Sequence, residues 1–127
     1  LTFRHEARRV TFLTAHKVAD AGEVDWSALT DTQMTVVVYM GLTAAPAIRD
    51  GLLRAGRSAQ TPVGVFARAT RPDAKTVGGV LDDLPELAAQ AAPGPAILII
   101  GDVVARSAAW RNASPENIIP QLLMAAE

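Results

Sequence analysis

The sequence predicts an α/β fold built on a mixed sheet, and three observations carry that prediction. The first is the run Thr35-Val36-Val37-Val38-Tyr39-Met40-Gly41, which is rich in β-branched residues and breaks at Met-Gly just before a helical pattern. Such a run reads as a strand covered on both faces. The second is the order of elements, β, β, α, β, β, α, β, which calls for right-handed crossovers around two helices. The third is the turn Thr70-Arg71-Pro72-Asp73 between two β-prone runs, which makes those runs a hairpin and the sheet mixed.

Taken in order, Val10 to Ala15 is a short β-prone run. The next segment, Lys17 to Thr35, is polar and turn-rich around Gly22, Asp25 and Asp31, with one helical turn expected over Asp25-Trp26-Ser27-Ala28-Leu29. The buried strand 35–40 follows. A helix over 43–55 is expected to be capped by Thr43 and to bury Ala44, Ile48 and Leu52. Pro46 falls in its first turn, where a missing N–H is harmless, and Gly56 suits the residue past its end. Asp50 and Arg54, four apart, are expected to pair on its surface.

Pro62 to Ala69 reads as a strand, and Lys75 to Leu81 as a Gly-interrupted strand near a sheet edge. Asp82 and Asp83 suit a helix start, with Leu84, Leu87, Ala88 and Ala91 on its apolar face. Pro93-Gly94-Pro95 stops it. Ala96 to Ile100 is a second continuous apolar run, expected to be a buried strand ending at Gly101. In the tail, Ser114-Pro115-Glu116 resembles a helix start, which Pro120 interrupts.

The 127 residues suffice for one domain with a core, and with half of them hydrophobic but only 5% aromatic, Ala, Val and Leu must fill it. A net charge of −1 gives no global pull toward nucleic acid or a membrane. The absence of cysteine excludes a disulfide scaffold and Cys-based zinc sites. No apolar run approaches the ~20 residues of a membrane span. Leu1 to Arg9 is polar and basic, unlike a signal peptide. A soluble cytoplasmic protein is expected. The chain opens on Leu1, and its first sixteen residues read like the interior of a domain, so a fragment lacking an upstream half is expected.

No G-x-G-x-x-G, P-loop or H-E-x-x-H motif is present. His5 and His16 lack metal-ligand spacing and read as ordinary surface or hydrogen-bonded residues; no Ser-His-Asp triad follows from their positions. Ten of the twelve basic residues are Arg. An arginine fork suits carboxylates. For Arg49, Arg54, Arg57 and Arg111 the reading is solvated surface; for Arg4 a carboxylate partner and a surface role both stay open. Arg68 and Arg71 flank the hairpin turn. Met40 reads either as core filler or as a ligand contact at the carboxyl end of a central strand, where open α/β sheets bind ligands.

Several stretches together resemble one family. Leu1-Thr2-Phe3-Arg4 is similar to Leu-Thr-His-Arg, Val10 to His16 to Val-Thr-Phe-Val-Thr-Gly-His, and Asp25-Trp26 with Leu29 to Asp-Trp-x-x-Leu. Thr35 to Gly41 is similar to Thr-x-Val-x-Tyr-Met-Gly, Ala69 to Lys75 to Gly-Thr-Arg-Pro-Asp-Gln-Arg, and Pro95 to Val104 to a closing strand. These are motifs of the uroporphyrinogen-III C-methyltransferases, SAM-dependent tetrapyrrole methylases of siroheme and cobalamin synthesis whose module also forms part of siroheme synthase. The resemblance covers residues 1–106 and leaves 107–127 as a C-terminal tail, with a helix expected there.

The resemblance implies the C-terminal domain of the tetrapyrrole methylase fold, with a mixed five-stranded sheet flanked by helices. It implies a partner N-terminal domain carrying the Gly-rich SAM loop, which has no counterpart in these residues, and a homodimer. Position by position, it implies that Met40, Ala69, Pro95 and Ala96 contact S-adenosyl-L-methionine and that Arg4 meets tetrapyrrole carboxylates. The implied reaction moves methyl groups to ring carbons of uroporphyrinogen III, giving precorrin-2, with no metal. No catalytic base is designated. Phe3, Ala15 and Ala69 depart from the family's His, Gly and Gly. The competing expectations are a related methylase acting on another corrinoid precursor and a non-catalytic dimerisation or regulatory module.

Overall fold

The computed structural model describes residues 1–15 and 24–111. His16, Lys17, Gly22 and the tail beyond Arg111, with the helix start expected at Ser114 and the break at Pro120, lie outside the described residues. Five strands form one mixed sheet: β1 (Arg9–Thr14), β2 (Met34–Tyr39), β3 (Pro62–Ala67), β4 (Lys75–Val80) and β5 (Ala96–Ile100). Their order is β1-β2-β5-β3-β4, with β1 and β2 parallel and every other pair antiparallel. Helix α1 (Ala45–Ala55) links β2 to β3, α2 (Leu84–Ala91) links β4 to β5, and a short α3 (Ala108–Arg111) follows. The expected hairpin is β3–β4, and the Gly-interrupted β4 is an edge strand.

Register explains which face each residue takes. Val36 and Val38 of β2, Leu98 and Ile100 of β5, and Val63 and Val65 of β3 fall on one face and are buried there. Ile48 and Leu52 of α1 and Leu84, Leu87, Ala88 and Ala91 of α2 complete the same cluster. Burying each Leu or Ile is worth about 1.5–3 kcal/mol. Gly79 admits α2 against β4, since a Cβ there would stand 2.9 Å from Leu87 Cδ1.

The second face is covered unevenly. A helical turn over Asp102–Arg106 lays Val104 against Gly64, whose added Cβ would meet Val104 Cγ1 at 3.3 Å, and Trp110 of α3 is buried. Further along, Phe12 and Tyr39 stack with ring centroids 6.4 Å apart and stay exposed. Ile97 and Ile99 are half-buried on this face, so β5 is not the fully buried strand its composition predicts.

Three local expectations differ. Helix α1 begins at Ala45, with Ala44 at its cap and no side-chain cap bond. Thr43 is exposed in the preceding turn, because residues 42–44 form that turn and Pro46 still sits in the first helical turn. Asp50 pairs with its neighbour Arg49 at 3.0 Å, while Arg54 Nε donates to the Asp50 backbone carbonyl. Arg57 is buried rather than solvated, 4% exposed. It follows Gly56, whose φ of +109° ends α1 and turns the chain inward. Its guanidinium donates to the carbonyls of Leu29 and Met34, both at 2.8 Å. That joins the helical turn Trp26–Leu29 and the start of β2 to the end of α1.

Candidate functional site

A cavity of about 740 Å³ opens at the carboxyl ends of β2 and β3, where β5 enters. Three chain segments wall it: Tyr39 to Thr43, Phe66 to Arg71, and Ala92 to Ile97. Its size is that of a small-molecule site.

The first wall follows from Gly41. An added Cβ there would stand 2.7 Å from Leu98 Cδ1 and 3.1 Å from Val38 Cγ1. Any larger residue would have to displace Leu98, so glycine lets the chain descend onto it before α1. Pairing of β2 ends at Tyr39, and Met40 takes φ +55° and is 58% exposed. Met40 is therefore not core filler; it stands on the cavity wall. A non-glycine residue in this region costs about 1–3 kcal/mol and is held there by its surroundings.

The second wall continues β3. Arg68 and Thr70 take φ +51° and +69°, while Ala69 between them keeps a negative φ. Alanine in place of the family's glycine thus meets no backbone penalty. Arg71 stands exposed at the rim, 3.9 Å from Asp73 through its Nε. The third wall is fixed to the second by the backbone, because the Arg68 N–H donates to the Pro95 carbonyl at 2.8 Å and Ala96 pairs with Ala67.

Four of the five residues singled out from the sequence, Met40, Ala69, Pro95 and Ala96, line this one cavity. Arg4 does not. It lies in the turn closed by the Phe3–Ala7 bridge, near the amino end of β2, where Thr35 Oγ1 donates to the Leu1 carbonyl at 2.7 Å. Arg106 holds that turn through both carboxylate oxygens of Glu6, at 2.7 and 2.8 Å from its Nε, and its guanidinium covers the Phe3 ring at 3.9 Å. The bond to Glu6 raises the Arg106 pKa above its ordinary value. Phe3, in the family's His position, thus has a packing role. Tyr39, Phe66 and Ile97 were not singled out from the sequence. Their signal was strand alternation onto the second face, which becomes informative once β5 is known to lie between β2 and β3.

A second, polar cavity of about 220 Å³ lies beside Arg57, Thr61 and Asp102. Burial lowers the Arg57 pKa, with Asp102 and Asp31 opposing the shift. Burial raises that of Asp102, against the pull of Arg57. Among the described residues no group of three or more His, Asp or Glu could hold a metal ion, and no helix is long and apolar enough to cross a membrane.

Residues 1–85 match the family model for tetrapyrrole (corrin/porphyrin) methylases. The chain is 43% identical over 119 residues to siroheme synthase 1 of Yersinia enterocolitica, covering 92% of this chain and 25% of that protein. It is 40% identical over 125 residues to siroheme synthase of Neisseria meningitidis, covering 95% and 26%. It spans about a quarter of the length of these curated relatives. Among solved structures, uroporphyrin III C-methyl transferase from Thermus thermophilus superposes with a TM-score of 0.69 at 29% identity, over 84% of this chain and 47% of that one. The form of that enzyme complexed with S-adenyl homocysteine gives a TM-score of 0.68 at 28% identity. A cobalt precorrin-4 methyltransferase shares the fold, with a TM-score of 0.72 at 24% identity.

Proposed function

The chain belongs to the tetrapyrrole (corrin/porphyrin) methylases, and on that premise we propose that it is the C-terminal domain of a uroporphyrinogen-III C-methyltransferase. It would form one side of the SAM and tetrapyrrole cleft and act with an upstream domain, in a cytoplasmic homodimer. The observation that carries this reading is the meeting of Met40, Ala69, Pro95 and Ala96 in a single cavity at the carboxyl ends of β2 and β3.

The cavity's chemistry fits an adenosyl group. Its walls are mostly apolar, as an adenine ring needs, and the backbone beside Met40 and Gly94 can approach a ligand closely. Arg71 at the rim supplies a cation for a carboxylate. SAM, when bound, supplies an already activated methyl group. The residues of this chain would then mainly hold donor and acceptor carbon in line and keep water away, while S-adenosylhomocysteine leaves with the sulfonium bond's electron pair and the methylated ring gives up a proton. The apolar strip formed by Tyr39, Phe12 and Ile97 leads from the cavity along the second face. We place the tetrapyrrole along this strip, with its carboxylates reaching toward Arg4.

Calorimetric titration of S-adenosylhomocysteine into the full-length protein tests the reading. One ligand per chain is expected to bind. Ala69→Leu, which adds bulk at an exposed cavity wall, is expected to weaken binding by about tenfold or more without unfolding the protein. A folded wild type that gives no heat, or equal binding by the variant, would sink the assignment and favour a non-catalytic module.

A further inference from the structure

We propose that Arg68 is a positioning residue that sets the separation between two walls of the cavity and thereby the affinity for the adenosyl ligand. The inference rests on the adenosyl reading above.

The Arg68 side chain is 17% exposed. Its Nε donates to the Asp73 carbonyl at 3.0 Å and lies 3.1 Å from the Asp73 carboxylate. Its Nη1 donates to the Ala91 carbonyl at 3.2 Å and to the Pro93 carbonyl. One planar cation thus holds the β3–β4 turn, the last turn of α2 and the loop into β5. The Ala91 carbonyl needs such a partner, because the residue four further on is Pro95, which has no N–H. A cation at a helix carboxyl end is also favoured by the helix dipole.

The third wall rests on the stem of the same side chain. A Cβ on Gly94 would meet Arg68 Cγ at 3.3 Å and Cδ at 3.4 Å. Arg68 therefore fixes how far Pro93, Gly94 and Pro95 stand from Ala69. Its neighbour Lys75 also reaches α2, donating to the Gln90 carbonyl at 2.7 Å, but it does not line the cavity. The fork geometry matters: an ammonium in place of the guanidinium cannot direct fixed donors at Asp73, Ala91 and Pro93 together.

The test uses the full-length protein and S-adenosylhomocysteine. Arg68→Gly removes the guanidinium and suits the positive φ, so the backbone is not strained. The expected result is a Kd raised about tenfold, a KM for SAM raised by a similar factor and a kcat within about twofold of wild type. Arg68→Lys is expected to fall between the two, and millimolar methylguanidinium to restore part of the glycine variant's affinity. Lys75→Ala is expected to bind like wild type. Unchanged affinity in Arg68→Gly, or in Arg68→Lys should the glycine variant not fold, would overturn the inference while leaving the adenosyl site standing. Failure of the wild type to bind would overturn both.

Discussion

Asp31 accepts a hydrogen bond from the Gln33 N–H at 2.8 Å and pairs with Arg9. These contacts, the backbone bond foremost, hold its carboxyl below the ordinary 3.8. A carboxyl whose native pKa is depressed stabilises the fold fully above its unfolded pKa and loses that contribution as pH falls through the native value. Asp31→Asn keeps an acceptor for Gln33 but discards the charge. Its Tm is expected to lie below wild type at pH 7, with the gap closing as pH drops below 3.8; an undiminished gap at about pH 2 would contradict this. Single residues also mark the limits of sequence reading. An arginine after a helix-ending glycine looks solvated, and nothing local reveals that Arg57 serves carbonyls 28 and 23 positions upstream. Met40 was legible in one respect only. The break after a β-branched run located it at a strand end, but its outward stance depends on Leu98 filling the space under Gly41.

At the scale of elements, α1 carries a prediction whose sign depends on packing. Gly51 is a mid-helix glycine, and replacing one by alanine at a free site gains about 1 kcal/mol. Here a Cβ would stand 2.3 Å from Trp26 Cε2 and 2.5 Å from Cδ2. Gly51→Ala is therefore expected to destabilise by about 1–3 kcal/mol in urea unfolding, since the indole must be displaced. A stabilised variant would show that Trp26 is free to move away. All five strands, α1 and α2 were legible: β2 and β5 as continuous apolar runs, β1, β3 and β4 as β-prone runs, and the two helices by helical spacing with Pro or Gly near their ends. The start of α1 was not: Thr43 is the better capping residue by type, but the turn over 42–44 puts Ala44 at the cap position. The Asp50 pairing was misjudged for a related reason. Helical spacing offered Arg54, but the adjacent Arg49, directed toward the Asp82 carbonyl, takes the carboxylate.

At the scale of the molecule, the Glu6–Arg106 pair joins residues 100 apart and anchors the turn that bears Arg4. Glu6→Ala is expected to speed amide exchange at Glu6 and Ala7, whose N–H groups donate to Phe3, while the amides of β2 and β5 exchange as before. Acceleration throughout the sheet would instead make the pair a global support. The mixed sheet was legible through the order of elements, and Met40, Ala69, Pro95 and Ala96 were singled out together only through the family resemblance. The distance of Arg4 from their cavity was not legible, because it depends on which end of β2 the first residues dock against. The strand order has a further consequence. β5 is the last strand in the chain, yet it lies between β2 and β3. A polypeptide emerging from the ribosome therefore cannot join β1–β2 to β3–β4 until Ile100 is out, and any strand pair formed before then has an open edge. Those edges are available to chaperones or to other nascent chains. The cavity has to wait for the same moment, because Ala96 and Ile97 complete its walls only when β5 inserts.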